Sequence, residues 1–458
     1  MPLILGTNSI KNTGYNVANS LRFEDGSNDF LNRTPSSSGN RKTWTLSTWI
    51  KRSELGRTQN FFSAGSGGDY ARIQFNSNDK IYIAHVNGGS TTTELQTTAR
   101  FRDTSAWMHI LWHLNTTEST ASNREKLYIN GVEATLDTST SDYGFPAEDY
   151  EDTINENVAH YIGNQVGAHE KCSLYLAETV FLDGTAATPT SLGEFDSDTP
   201  TVWKPVDPSG LTFGTNGFYL DYEDSSSLGN DTNGSNNFTV NNLTAIDQST
   251  DTCTNNFCTW NPLANYTNGV AFSEGNLEAT SGTNDQWDGG RASIGFSQGK
   301  WYFECLFVAG VSTQYIGVQD ESAGFTGSSP HDQNGTTVFY NNSGGEIRKD
   351  GSATTNDYGT FTSSQVAGIG IDADNFTISV YKGGSAIVNA YALSTTRTGF
   401  LFPFTANLNN GDGVKVNFGS PPYSESGGNT DANGYGNFNQ SVPSGYFAIN
   451  SKNLAEYG

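Results

Sequence analysis

Residues 107–114 read WMHILWHL, and whether they form a helix or a strand decides the fold. On a helix, His109 and His113 would sit one turn apart on one face, a spacing that can grip a metal ion. On a strand, Met108, Ile110, Trp112 and Leu114 share one face, while Trp107, His109, Leu111 and His113 share the other. The flanks Asp103-Thr104-Ser105 and Asn115-Thr116-Thr117 are turn-formers that bound a short run, as expected for a strand. On a strand the two histidines lie roughly 13 Å apart and cannot share an ion. The strand reading therefore stands. Because both faces are largely apolar, it predicts a central strand covered on both sides.

Composition agrees. The chain has 458 residues, room for two or three domains. Only 34% of residues are hydrophobic, yet 12% are aromatic, more than a disordered chain carries. Its 51 glycines, with Asn, Ser and Thr, punctuate short apolar runs such as KTWTLSTWIKRS (42–53), ARIQFN (71–76), KIYIAHV (80–86) and SLYLAETVFLDGT (173–185). No apolar run nears the roughly 20 residues of a bilayer span, so no membrane insertion is expected. The opening MPLIL is too short and uncharged for a signal peptide. A net charge of −24 argues against nucleic acid and anionic membranes as partners. Cys172 and Cys305 lie in apolar runs and read as buried thiols, while Cys253 and Cys258 form C-x4-C and are left open as a pair.

In order along the chain come LSTWIKRS (46–53), FFSAG (61–65), WMHI (107–110), LYINGV (127–132), YIG (161–163) and YLAETVFLDG (175–184). Together they resemble a laminin-G-like, concanavalin A-like jelly roll over residues 18–190. That resemblance implies a two-layer sandwich whose loops recognise sugars or proteins, in some members with calcium at one rim. GKWYFECLFV (299–308), YIGVQD (315–320), VAGIGIDADNFTISVYKGG (366–384), FPFTANL (402–408) and GVKVNFGSPPY (413–423) resemble a SPRY domain over 262–458. This chain reads Lys382-Gly383-Gly384 where that family commonly has an Asn-Gly hairpin; Gly-Gly serves the same tight turn. Residues 191–261 hold Pro200, Pro205 and Pro208 and read as a connector, with Phe218 to Tyr222 as a strand returning to the first sandwich. Residues 1–17 read as an N-terminal arm. The expected fold class is all-β: two β-sandwich (jelly-roll) domains, concanavalin A-like then SPRY-like, joined by a Pro/Asn/Ser-rich connector.

Three sets of side chains are candidates for chemistry. Glu194, Asp196 and Asp198 alternate, and on a strand would share a face, as paired carboxylates do in jelly-roll glycanases. The setting before Thr199-Pro200 is loop-like, so catalysis is not expected and the chain reads as a non-enzyme. Asp221, Asp224, Asn230, Asp231 and Asn233 form the richest oxygen cluster, and calcium is the cofactor such ligands would take. The competing reading is a solvated turn, since the spacing lacks the Gly and Glu positions of a known calcium loop. For ligand binding, Trp287 sits among Asn284, Asp285 and Asp288, which could hydrogen-bond sugar hydroxyls. Phe339, Tyr340 and Tyr358 are further ring candidates, each against the alternative of core packing.

The opening NTGYNVANSLRFEDGSNDFLNRTPSSSGNRKTWTLSTWIKRS (12–53), joined to a second sandwich, resembles virion proteins of tailed bacteriophages of marine bacteria. The resemblance implies a fibre, appendage or capsid-surface protein, assembled in host cytoplasm and then extracellular. It implies docking to other virion proteins through the N-terminal arm, a host glycan or protein as receptor, and a homo-oligomer, with a trimer favoured. The alternatives are a glycan-cleaving jelly-roll enzyme and a purely architectural virion component.

Overall fold

The structure is a computed structural model, and it describes residues 14–137, 144–165, 167, 170–266, 270–282, 285–308, 313–324, 329–341, 344–354, 356–394 and 399–458. The chain divides into two compact units, with the boundary between Thr254 and Asn255. Each unit is a pair of mainly antiparallel sheets around its own apolar core.

In the first unit, WMHILWHL is a strand, Met108–Asn115, near the middle of an eight-stranded sheet. Its neighbours are Thr43–Arg52 on one side and Glu125–Ile129 on the other. Met108, Ile110, Trp112 and Leu114 face the second eight-stranded sheet and enter the main core. Trp112 meets Trp44 edge-on at 4.6 Å, a favoured aromatic geometry.

The opposite face is covered too, but not by a sheet. The chain after residue 185 folds back over it, placing Ala187, Leu192, Phe213 and Tyr219 on Leu111, Val180 and Leu182. A two-stranded ribbon, Gly193–Phe195 with Trp203–Pro205, lays Trp203 over His109. The Trp203 indole N–H donates to His109 Nδ1 at 3.1 Å. An indole is only a donor, so His109 Nδ1 is an acceptor and its Nε2–H donates to Ser47 Oγ at 2.7 Å. His113 Nδ1 lies 3.0 Å from the Ala187 carbonyl. Burial pushes His109 down to about 3 and lowers His113 as well. Both are neutral core histidines, each with its own partner.

The Asn130-Gly131 hairpin has φ of 48° and 77°, the positive values a tight primed turn needs. Asn130 Oδ1 also accepts the His109 backbone N–H at 2.7 Å, and a Cβ at Gly131 would run into the Trp203 ring. The signature LYINGV is thus a turn and a seat for Trp203 at once.

The stretch expected as a connector is largely part of the first unit. Phe218–Leu220 pairs with Leu174–Asp183, Thr239–Asn241 with Phe30–Arg33, and Gln248–Ser249 with Ser20–Phe23. Asp251 takes a buried ion pair from Lys51 at 2.7 Å and the Trp107 indole N–H at 3.0 Å. Most of the expected N-terminal arm lies outside the described residues, but 14–17 pack against the same sheet. Val17 is buried with Trp49, Ala177 and Trp203, and the Tyr15 hydroxyl reaches Glu178 and Tyr219.

The second unit pairs a seven-stranded sheet with an eight-stranded one. Its signature residues are joints between strands and loops. Glu304, in the centre of Lys300–Val308, accepts the backbone N–H groups of Asn439 and Gln440, both at 2.8 Å, and the Asn417 side-chain amide at 3.2 Å. Asp372 pairs with Lys300 at 3.1 Å. Gly383 and Gly384, at φ 57° and 78°, close the hairpin that Asn-Gly would otherwise close. All four cysteines are free thiols.

Three buried groups hold protons more tightly than their exposed counterparts. In the first unit His85 lies between Asp152 and Glu125, at 2.8 Å from each. Burial alone would lower its pKa, but the two carboxylates outweigh it and raise it well above the ordinary value. Burial pushes Glu178 up to about 8, against the hydrogen bonds of Tyr219 and Tyr15. In the second unit burial pushes Glu304 up to about 7, against the Gln440 and Asn439 amides. For each group the folded pKa exceeds the unfolded one, so its stabilisation is complete at low pH and is lost as pH rises through the folded value. These groups therefore lower the unfolding midpoint as pH rises from 5 to 9, by about 3 °C for each kcal/mol lost in units of this size, while His109 and His113, buried neutral with lowered pKa, act the other way as pH falls below the ordinary histidine value. Calorimetry of Glu178→Gln is expected to show a shallower fall between pH 7 and 9 than the native chain. An equal fall would place the alkaline loss elsewhere.

Candidate functional site

Alternation decides which rings of the second unit face outward. In the strand Thr336–Asn341, Phe339 enters the core while Val338 and Tyr340 face away from it. In Gln314–Asp320, Ile316 and Val318 face in and Tyr315 faces out. Register then sets Gly289, Ala406, Tyr315, Tyr340 and Glu346 side by side across the outer face of the seven-stranded sheet. The next row is Arg291, Phe404, Gly317, Val338 and Arg348.

Tyr315 is the centre of an aromatic stack. Tyr340 lies on one side of it at 4.3 Å with rings 20° apart, and His331 stacks on it at 4.3 Å with rings 10° apart. Trp287 packs on the same face, 5.1 Å from Tyr315 and 4.1 Å from His331. Tyr315 and His331 are buried; Trp287 and Tyr340 are half-buried and form the rim. Arg348 donates to the Tyr315 hydroxyl at 2.9 Å and lies 4.0 Å from Asp332. Burial, then the Arg348 charge, pushes His331 down to about 3, so it is a neutral ring at physiological pH. The surface therefore presents two ring edges and faces backed by a rigid, uncharged stack, with one guanidinium beside it. Such a surface can pack against the C–H face of a sugar or an apolar protein patch.

The expected ligand residues part ways here. Trp287 and Tyr340 meet in one surface. Asp285 is exposed, with φ 56°, in the turn before Trp287. Asp288 is fully buried, and burial pushes its carboxyl up to about 6 beside the Ser281 hydroxyl and the charge of Asp412, so it is not a surface hydrogen-bonding partner. Asn284 lies outside the described residues. Phe339 is a core residue, because its neighbour Tyr340 takes the outward place in the alternation. Tyr358 packs its ring against the second core and receives the Asn356 side-chain amide on its hydroxyl at 2.9 Å.

The oxygen cluster does not fit an ion. Asp231 is buried and spends Oδ1 on the Tyr219 and Asn233 backbone N–H groups, at 3.0 and 3.3 Å, and Oδ2 on that of Asn236 at 2.9 Å. Asp224 Oδ1 accepts from Ser226 N at 2.9 Å and Ser226 Oγ at 2.6 Å. Asp221 accepts the Glu223 N–H at 3.1 Å, and the Asn230 N–H closes a turn onto Ser227. Calcium needs six to eight converging oxygens. Among the described residues no group of three or more His, Cys, Asp or Glu is arranged to hold a metal. The side chains of Asp221, Asp224 and Asp231 hold turns, to which Asn230 and Asn233 contribute backbone N–H groups.

The alternating acids also have another role. Glu194 and Asp196 both lie 3.3 Å from Lys204 on the facing ribbon strand. Asp196 accepts the Thr199 and Asp198 backbone N–H groups, which with Lys204 hold its carboxyl below the usual range. A glycosidase acid needs the opposite shift.

Residues 25–172 match the concanavalin A-like lectin/glucanases superfamily. The first sandwich is laminin-G-like. No curated protein matches the chain. Among solved structures it is similar to the SPRY domain of human HERC1, at 19% identity and TM-score 0.29, over 34% of this chain and 96% of that one. It is similar to domains LG4-5 of the mouse laminin alpha1 chain, at 9% identity and TM-score 0.30, over 88% of this chain and 89% of that one. A heptameric SAP-like pentraxin from Limulus polyphemus is 14% identical at TM-score 0.29, over 39% of this chain and 82% of its own.

The division between core ring and rim ring is measurable. Urea unfolding of Phe339→Ala is expected to show a loss of about 4 kcal/mol, against about 1 kcal/mol for Tyr340→Ala. Equal losses would mean that Tyr340 is core as well.

Proposed function

We propose that this chain is a non-enzymatic structural and adhesive protein of a tailed-phage particle, a fibre, appendage or capsid-surface component that contacts a host glycan. The observation that carries the adhesive part is the half-open aromatic rim of Trp287 and Tyr340 on the buried Tyr315–His331 stack. Ring faces fixed in advance lose little entropy on binding. The laminin-G-like first sandwich is compatible with a binding role. The virion part is supported by the likeness of residues 12–53 to phage virion proteins, and the acidic composition suits a particle surface. Each copy would bind weakly, and a homo-oligomer, trimeric by expectation, would multiply that affinity by holding several rims together.

The test has two arms. Peptide mass spectrometry of purified particles should find the chain among the virion proteins; particles that lack it overturn the virion assignment. The full chain, added in excess to host cells, should slow particle adsorption by about tenfold, and the double variant Trp287→Ala, Tyr340→Ala should lose that competition. A chain that is in the particle but competes equally well without both rings is an architectural component.

A further inference from the structure

We infer that the second unit has a separate binding cleft, away from the aromatic rim, that takes a sugar unit bearing a single carboxylate, with Lys349 as the anion partner and Tyr391 as the ring beneath it. The inference rests on the sugar-contact reading above and names a second contact for it.

The cleft lies where the edges of the two sheets part. One wall is the hairpin Glu346–Lys349 with Ser352–Ala353, at the end of the seven-stranded sheet. The other is the edge strand Ser385–Ala392 of the opposite sheet. The space is about 430 Å³, lined by Lys349, Ser352, Ala353, Thr354, Asn356 and Tyr391. That volume lies within the range of small-ligand sites.

Period-2 alternation puts Lys349 here. Ile347, two residues before it, fills the core on the same strand face, while Arg348 turns outward to Tyr315 and Asp332. Lys349 thus emerges where the core ends, with its ammonium 5.5 Å from the Tyr391 ring centroid and 3.4 Å from the Ala392 carbonyl. Among the described residues no carboxylate forms an ion pair with it, in a chain of net charge −24. An ammonium held by a ring and one carbonyl retains donors for an anion.

The remaining walls supply what a sugar ring needs. Thr354 Oγ1 accepts the Ile347 N–H at 3.2 Å, which leaves its own hydroxyl proton to donate. Asn356 donates an amide proton to the Tyr358 hydroxyl at 2.9 Å, which fixes the side chain and leaves its carbonyl oxygen as an acceptor. Ser352 is exposed at the mouth. A half-buried tyrosine ring, two hydroxyls and an amide suit the C–H face and hydroxyls of one sugar. The acidic surroundings select a single carboxylate over a polyanion, because every further negative charge is repelled by the chain as a whole.

Methyl galacturonoside, which carries one carboxylate, its methyl ester and methyl galactoside are suitable probes, followed by NMR titration of the full chain. Methyl galacturonoside is expected to bind with Kd on the order of 1 mM, and the two neutral probes about tenfold more weakly. Lys349→Ala and Tyr391→Ala should each weaken methyl galacturonoside by about tenfold, Lys349→Arg should retain most of the binding, and Lys452→Ala, which removes the same charge elsewhere, should leave it unchanged. Unaltered unfolding midpoints in the cleft variants show that the fold is intact. Equal binding of acid and ester, native-like binding by Lys349→Ala, or no binding of methyl galacturonoside overturns the cleft assignment. None of these touches the adsorption result, which depends on Trp287 and Tyr340.

Discussion

A strand in a sandwich has two faces, and in both units of this chain the second face also carries rings. Those rings must be taken out of water, and the way this is done separates the two units. In the first, the chain returns over its own sheet and seals the face, with Trp203 on His109 as the clasp and Gly131 kept bare to admit it. In the second, Tyr266 and Trp287 lie on the row of Tyr315, Phe404 and Ala406. Trp287 and Tyr340 remain half in solvent. The first unit's outer layer is sealed by its own chain, while the rim rings of the second unit's outer layer stay half-buried.

Buried polar groups act as the joints of this arrangement. Lys51 and Asp251 fasten the far end of the first unit to its sheet, and Glu304 fastens residues 439–440 to the central strand of the second. His85, between Glu125 of one sheet edge and Asp152 of a loop, ties layers that rings alone would leave free to slide. A surplus of carboxylates elsewhere serves turns: Asp231, Asp224 and Asp196 each spend their oxygens on backbone N–H groups.

Much of the fold was legible in the sequence. The period of WMHILWHL assigned its faces, and the Asn130-Gly131 and Gly383-Gly384 pairs marked hairpins, because positive φ restricts residue choice. The coverage of the second face was legible only as a requirement; nothing local to Trp203 says that it lies on His109. The site was read less well for the same reason. Trp287 and Tyr340 stood out as rings in polar turns, but Tyr315 and His331 become their support only through register across three strands and a short 3-10 turn. Phe339 and Tyr340 are adjacent, so one had to face in, and the sequence does not say which. Asp221 to Asn233 could be read as ligands because turn-building and metal-binding use the same side chains.

If the outward ring layer of the second unit is a surface for contact, a bound host cell must cover its rim rings. Hydroxyl-radical footprinting of the full chain, alone and with intact host cells, measures that cover. Trp287 and Tyr340 are expected to be oxidised in the free chain and protected when bound, while Trp203 and Tyr315 stay unreactive in both. Protection confined to other residues, with Trp287 and Tyr340 unchanged, would contradict a contact surface there.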